Sequence, residues 1–206
     1  MQIVLPRGRM LSDSIRLLRK SIPGLRPPDD RELIYRNGEV EVLLAKPADV
    51  PVYVETGVDI GITGKDVVLE NSHDLFIPTS LPFGRCRLSV ATLKDDMVPV
   101  EQMDGYRIAT EYPNLTRNFF KSIDVPVEVI KVNGATELAP RAGIADAIVD
   151  IVNTGNTLKV NGLKEVKTIA HSTALLLVNR ISQKTKFDQV NELIFDIRGV
   201  IKRESK

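Results

Sequence analysis

Two hundred and six residues make one large domain or two small ones, and surface scaling buries about 70% of such a chain's surface, enough for two cores. Hydrophobic residues at 43% and charged residues at 27% exclude a disordered chain. A net charge of +1, from 28 Lys and Arg against 27 Asp and Glu, gives no bulk attraction to nucleic acid or to a membrane surface. The single cysteine, Cys86, excludes an internal disulfide and a thiolate-rich metal site. The opening MQIVLPRGRM breaks its apolar run at Pro6, Arg7 and Arg9 and reads as no signal peptide. Ala174–Val178, the purest apolar stretch near the C-terminus, is far short of the ~20 residues of a membrane span. A cytoplasmic protein is expected.

Short β-like runs alternate with helical ones, the pattern of an α/β protein. Gln2–Leu5 reads as a strand, and Leu11, Ile15, Leu18 and Ile22 then fall at helical spacing. Leu33–Tyr35 and Glu39–Leu44 flank Asn37-Gly38, a strong hairpin signal. Asp49 and Pro51 open a short helix that Gly57 ends, Val58–Ile62 is a strand, and a helix starts from Gly64. Residues 78–84 look irregular, and Arg87–Leu93 resumes as a strand. Strands are then expected at Tyr106–Thr110, Val127–Val132, Thr168–Ala170 and Ala174–Asn179, with helices at Asn114–Ile123 and Gly134–Arg141. Ala147–Val152 is apolar on both sides of Asp150, as in a parallel strand covered on both faces. Phe187, Val190, Leu193, Ile194, Ile197 and Ile201 mark a long amphipathic helix. The expected architecture is two-lobed: residues 1–86 with 174–206 in a first α/β lobe and 87–173 in a second, with ligands bound in a cleft at the carboxyl ends of strands.

The most informative segment is Asp150-Ile-Val-Asn153-Thr154-Gly155-Asn156-Thr157-Leu158. It is a buried strand, a loop of small hydrogen-bonding residues around one glycine, and a helix start. Successive N–H groups, two hydroxyls and a helix N-terminus suit a phosphate monoester. A plain strand-to-helix turn with Thr157 or Asn156 as N-cap uses the same residues. No Lys follows the glycine, so the loop is not a Walker P-loop.

With Glu137, Gly143 and Ala145 upstream, the string Glu137–Leu158 resembles the signature of the ATP phosphoribosyltransferases over 22 residues. The similarity continues through Leu5-Pro-Arg-Gly-Arg9, Asp49–Gly57, Asp59–Asp66, Ala109–Asn114 and Leu175–Asn179, nearly the whole chain. Lys is common in the family where Arg7 stands. The resemblance implies a two-lobed fold of the type II periplasmic-binding kind. It also implies an activity: adenine N1 of ATP attacks C1′ of phosphoribosyl pyrophosphate (PRPP), in the first step of histidine biosynthesis. Such a site needs no strong base, only groups that hold two polyanions and neutralise a departing pyrophosphate.

On the same resemblance, Arg9 and Arg31 are the catalytic candidates, and Glu137, Asp150, Asn153, Thr154, Gly155, Asn156 and Thr157 hold PRPP. Arg7, Gly8, Thr63, Gly64 and Tyr112 are candidates for ATP or pyrophosphate, with Mg²⁺ carried on the substrate phosphates. Ordinary structural roles would also account for these residues: solvated charges at Arg7 and Arg9, a surface ion pair at Arg31, a tight turn at Gly64, a packed ring at Tyr112. His73 and His171 are too sparse for a zinc site, and Cys86 reads as an inert buried thiol. The length resembles the short form of the family, a catalytic subunit that forms homodimers and joins a regulatory subunit related to histidyl-tRNA synthetase, as a hetero-octamer. A non-enzymatic two-lobed binding or effector-sensing domain is the alternative, since fold alone decides neither.

Overall fold

Alternation of apolar residues sets the architecture. In strand β1 (Gln2–Pro6), Ile3 and Leu5 point to one face and Val4 to the other, and all three are fully buried. A strand buried on both faces must sit inside a sheet with layers above and below it. The computed structural model describes residues 1–29 and 32–204. It consists of two compact units, Met1–Val68 with Ser72–Gly84 and Thr173–Lys206, and Leu69–Asn71 with Arg85–Ser172.

In the first unit β1 runs parallel to β3 (Val40–Ala45) on one side and to β4 (Ile60–Gly64) on the other. A hairpin joins β2 (Ile34–Asn37) to β3, with Gly38 at the positive φ that its turn requires. β11 (Ala174–Val178) returns antiparallel to β4, and β5 (Phe76–Ser80) closes the edge, giving the order β2-β3-β1-β4-β11-β5. Ile3, Leu5 and Leu176 pack with α1 (Leu11–Leu18) and the long α8 (Phe187–Glu204). Val4, Leu175 and Leu177 pack on the opposite face with Val50 and Val54 of α2 (Val50–Thr56). Pro51 pre-sets the first turn of α2, and Gly57, at φ 142°, ends it. Because β1 and β4 are parallel neighbours, the chain leaves both at the same end of the sheet, at Arg7–Arg9 and at Gly64.

The second unit carries a five-stranded sheet, β10-β6-β9-β7-β8. Its strands are β6 (Cys86–Leu93), β7 (Arg107–Thr110), β8 (Glu128–Lys131), β9 (Ala147–Val152) and β10 (Leu163–Ser172). β7, β8 and β9 are mutually parallel, whereas β6 is antiparallel to both β9 and β10. One face packs Leu88, Val90, Ile108 and Val149 with Phe120 of α4 (Pro113–Ser122), and the other packs Ala91, Ala109 and Ile148 with Leu158 of α6 (Asn156–Val160). The carboxylate of Glu70, the last residue of α3 (Lys65–Glu70), accepts the Asn114 and Leu115 N–H groups at the start of α4, 2.8 and 2.9 Å away. Those donors are otherwise orphaned at a helix start.

Several elements depart from the sequence reading. Residues 78–84 were expected to be irregular, yet β5 pairs with β11 there, and its Pro78 is tolerated because an edge strand needs no donor outward. The helix expected at Gly134–Arg141 is only α5 (Leu138–Arg141): Gly134 stands at φ 108° and cannot be helical. β9 is covered on both faces but parallel only to β7. A separate helix, α7 (Arg180–Thr185), precedes α8; Asn179 caps it through hydrogen bonds from the Ile181 and Ser182 N–H groups. In α8 the buried position is Val200 rather than Ile201, and Phe187 is exposed.

Candidate active site

Parallel pairing brings the carboxyl ends of β7, β8 and β9 to one end of the second sheet, and the segments that follow them meet there. Glu111 follows β7, Gly134–Glu137 follow β8, and Asn153–Thr157 follow β9. The Glu111 carboxylate accepts from the Gly134 N–H and ties the first two segments together. The buried Thr136 hydroxyl donates to Asp150 Oδ2, which ties the second to β9. Asp150 Oδ1 accepts the Ile151 N–H at 2.6 Å. Burial pushes the Asp150 carboxyl up to about 6; the Thr136 and Ile151 hydrogen bonds oppose this, while the charges of Glu137 and Glu111 add to it. Perturbed carboxyl groups cluster at functional sites, which makes this sheet end the candidate.

The loop itself is open. Asn153, Thr154, Asn156 and Thr157 are exposed, and Gly155 stands at φ 82°, left-handed, immediately before α6. Gly155 is needed for that backbone angle. The Asn156 N–H reaches the Thr154 hydroxyl oxygen at 3.4 Å, which leaves that hydroxyl's own proton to donate elsewhere. The first N–H groups of a helix have no partner within it. Thus the loop presents backbone and hydroxyl donors together, suited to an anion's oxygens.

At the corresponding end of the first sheet, Arg7, Gly8 and Arg9 are exposed, and Gly8 stands at φ 90°. The Arg7 N–H donates to Ala45 at 2.8 Å, which fixes the chain as it leaves β1. Gly64 is buried, with the Asp66 carboxylate close against it. Thr63 is fully buried and its hydroxyl donates to the Pro47 carbonyl at 2.8 Å, so its donor serves the fold and not a phosphate. The Tyr112 ring is half-buried against the apolar cluster around Phe120, and its backbone belongs to the start of α4. Arg31 lies outside the described residues. Among the described residues, no three His, Cys, Asp or Glu side chains are grouped to hold a metal ion.

Sequence reasoning did not single out Thr136 or Glu111. Their partners lie 14 and 23 positions away, and no spacing rule connects residues across strands in that way.

Two α/β units, each with its own mixed sheet, define a fold of the type II periplasmic-binding kind. The alkanesulfonate-binding protein SsuA from Xanthomonas axonopodis has this fold, at TM-score 0.63 and 14% identity over all of this chain and 75% of that one. The family described as HisG: ATP phosphoribosyltransferase matches residues 46–199. An ATP phosphoribosyltransferase of Thermococcus gammatolerans is 57% identical over 202 residues, 98% of each protein. The solved ATP phosphoribosyl transferase (HisG:HisZ) complex from Thermotoga maritima contains a chain similar at TM-score 0.86 and 31% identity, covering 98% of this chain and 99% of that one. The chain belongs to the ATP phosphoribosyltransferase family. Its activity is the transfer of the phosphoribosyl group of PRPP to N1 of ATP, with release of pyrophosphate, the first step of histidine biosynthesis.

Proposed function

We propose that the loop 153–157 holds the 5′-phosphate of PRPP, and that Asp150 and Glu137 accept hydrogen bonds from its ribose hydroxyls. The observation that carries this reading is the convergence of exposed loop donors and a perturbed carboxylate at one sheet end. In the reaction a bond forms from adenine N1 to C1′ while the C1′–O bond breaks, its electron pair leaving on pyrophosphate. N1 attacks with its own lone pair, so the chain's task is orientation and charge. Arg7 and Arg9, with the Gly8 backbone between them, are the groups this reading assigns to the growing negative charge on the leaving group. Arg31 is carried into the same role by the family resemblance. Mg²⁺ prefers phosphate oxygens and water to an all-protein cage, so it would be carried on the substrate phosphates. When bound, it neutralises phosphate charge.

Replacing Thr154 or Thr157 by Val removes a donor to a charged oxygen, worth about 1.5–3 kcal/mol. Calorimetric PRPP affinity is expected to fall roughly ten- to a hundred-fold in each variant. Unchanged affinity in both, with the fold intact, places the phosphate elsewhere.

A regulatory subunit joining homodimers of this chain in a hetero-octamer is part of the same reading, supported by the Thermotoga maritima complex. In this reading histidine control resides in the partner. Histidine titrated into the isolated chain should give no saturable heat, and inhibition should appear only when the regulatory subunit is added. Saturable binding at micromolar histidine would overturn this division of labour. No described helix is long and apolar enough to cross a membrane, and the reading puts the enzyme in the cytoplasm.

A further inference from the structure

A strand three residues on normally shows its opposite face, yet Glu165 and Thr168 of β10 both meet Ser89 of β6. The Ser89 hydroxyl donates to Glu165 Oε1 at 2.8 Å, and the Thr168 hydroxyl does so at 2.9 Å. The cause is an irregularity: the β10–β6 register shifts between Glu165 and Lys167 and again between Thr168 and Ala170. One inserted residue flips the alternation and re-aims a side chain. The carboxylate so placed grips Arg87 bidentately, with Nε to Oε1 at 2.8 Å and Nη2 to Oε2 at 2.6 Å. The guanidinium's remaining arm is what links this cluster to function. Arg87 Nη1 donates to the Asn153 carbonyl at 3.1 Å, where β9 ends and the loop begins.

We infer that Arg87, locked in place by Glu165, is a positioning residue that aims the phosphate loop. A trans peptide is planar, with its C=O and N–H directed oppositely. Holding the Asn153 carbonyl toward Arg87 therefore turns the Thr154 N–H the other way and sets the first donor of the loop. A guanidinium tied at two points to a carboxylate cannot swing away. Hydrogen bonds from Arg87, then Ser89 and Thr168, hold the Glu165 carboxyl down to about 2 against the effect of burial, so the pair stays charged through the neutral range. Arg87 meets the loop at the Asn153 carbonyl, and the effect of both residues passes through the loop's backbone. The inference rests on the reading of 153–157 as the phosphate loop.

The test compares Arg87→Lys, Glu165→Gln and the double variant with Thr157→Val as a control for the loop. PRPP affinity, the KM of each substrate and the melting temperature are measured in the full chain with its regulatory subunit. Lys keeps the charge but cannot hold carboxylate and carbonyl together. Arg87→Lys is expected to weaken PRPP about tenfold, the scale of one lost charge-assisted hydrogen bond, and to leave the KM for ATP within about twofold. Glu165→Gln should weaken PRPP less, and the double variant no more than Arg87→Lys, because Glu165 acts through Arg87. If Thr157→Val weakens PRPP while Arg87→Lys leaves it unchanged, or weakens both substrates alike, the positioning role is refuted and the loop reading stands. If Thr157→Val, like Thr154→Val, leaves PRPP binding intact, the loop reading falls and this inference with it.

Discussion

Replacing Asp150 by Asn should make the free protein more stable at pH 7 and at the same time cost most of its affinity for PRPP. The two effects have one origin. Burial raises the Asp150 carboxyl from 3.8 to about 6, so the folded chain binds its proton more tightly than the unfolded chain does. A raised acid stabilises the fold while protonated, and that contribution is lost as pH rises from about 4 through about 6. A shift of about two units corresponds to roughly 3 kcal/mol, and partial exposure reduces this to about 1–2 kcal/mol. Asn carries no charge, can still accept from the Ile151 N–H, and escapes this cost. It cannot replace the second carboxylate oxygen as an acceptor for ribose hydroxyls, which costs about 1.5–3 kcal/mol of binding.

Melting curves at pH 5 and pH 7 check the first half: the gain of Asp150→Asn over the wild type should be larger at pH 7. PRPP titrations across the same range check the second. Wild-type affinity should weaken as pH falls through about 6, and the variant should be weak throughout with that step missing. A variant that binds PRPP like the wild type would remove Asp150 from the site, leaving its perturbation a matter of packing.

The other large effect is expected at Asp59, and there it falls on stability alone. Asp59 is 1% exposed. Its Oδ1 accepts from the Ser182 hydroxyl at 2.6 Å, its Oδ2 from the Gln2 N–H at 2.8 Å, and Lys186 Nζ lies 2.8 Å from both oxygens. One carboxylate thereby fastens β1, the approach to β4 and the α7–α8 region of the first unit. Burial alone would raise its pKa, but the hydrogen bonds from Lys186, Ser182 and Gln2 outweigh that and hold it below the usual value. Asp59→Ala leaves the serine hydroxyl and the Gln2 N–H buried without an acceptor, while the half-exposed Lys186 can turn to water. A cost of about 3–4 kcal/mol follows from two donors left without an acceptor. For a chain of this size, that is roughly 6–16 °C in melting temperature.

Because the folded pKa is depressed, the contribution is present at neutral pH and lost only as pH falls below the ordinary carboxylate range. The wild-type advantage over Asp59→Ala should therefore shrink in acid. Chemical denaturation at pH 7 and at pH 3 measures it. Equal stability at pH 7 would show that the buried network contributes nothing. The folded fraction of the variant should still bind PRPP if residues 153–157 hold its phosphate, since Asp59 belongs to the other unit.

Local signals in the sequence sufficed for much of this molecule. Asn37-Gly38 specified its hairpin, Pro51 and Gly57 bracketed α2, and the 3.6-residue repeat from Phe187 marked α8, because each is decided by turn geometry or by one buried face. The loop from Asn153 to Thr157 was legible for the same reason: its glycine and small donors are contiguous. Pairing lay beyond reach. Whether β5 formed depended on β11, nearly a hundred residues later, and β9 took an antiparallel neighbour that its own composition could not announce.

At the site the same division holds. Asp150 could be named from its motif, but its raised pKa required burial within the folded unit, with the charges of Glu137 and Glu111 brought near it by three parallel strands. Thr63 looked like a phosphate donor until its hydroxyl met the Pro47 carbonyl. Arg87 and Glu165 stand 78 positions apart, and a register shift turns one toward the other. Sequence records which groups are available within a turn or a strand. Their charge state and direction depend on what long-range pairing puts beside them, because burial and hydrogen bonding act through space and not along the chain.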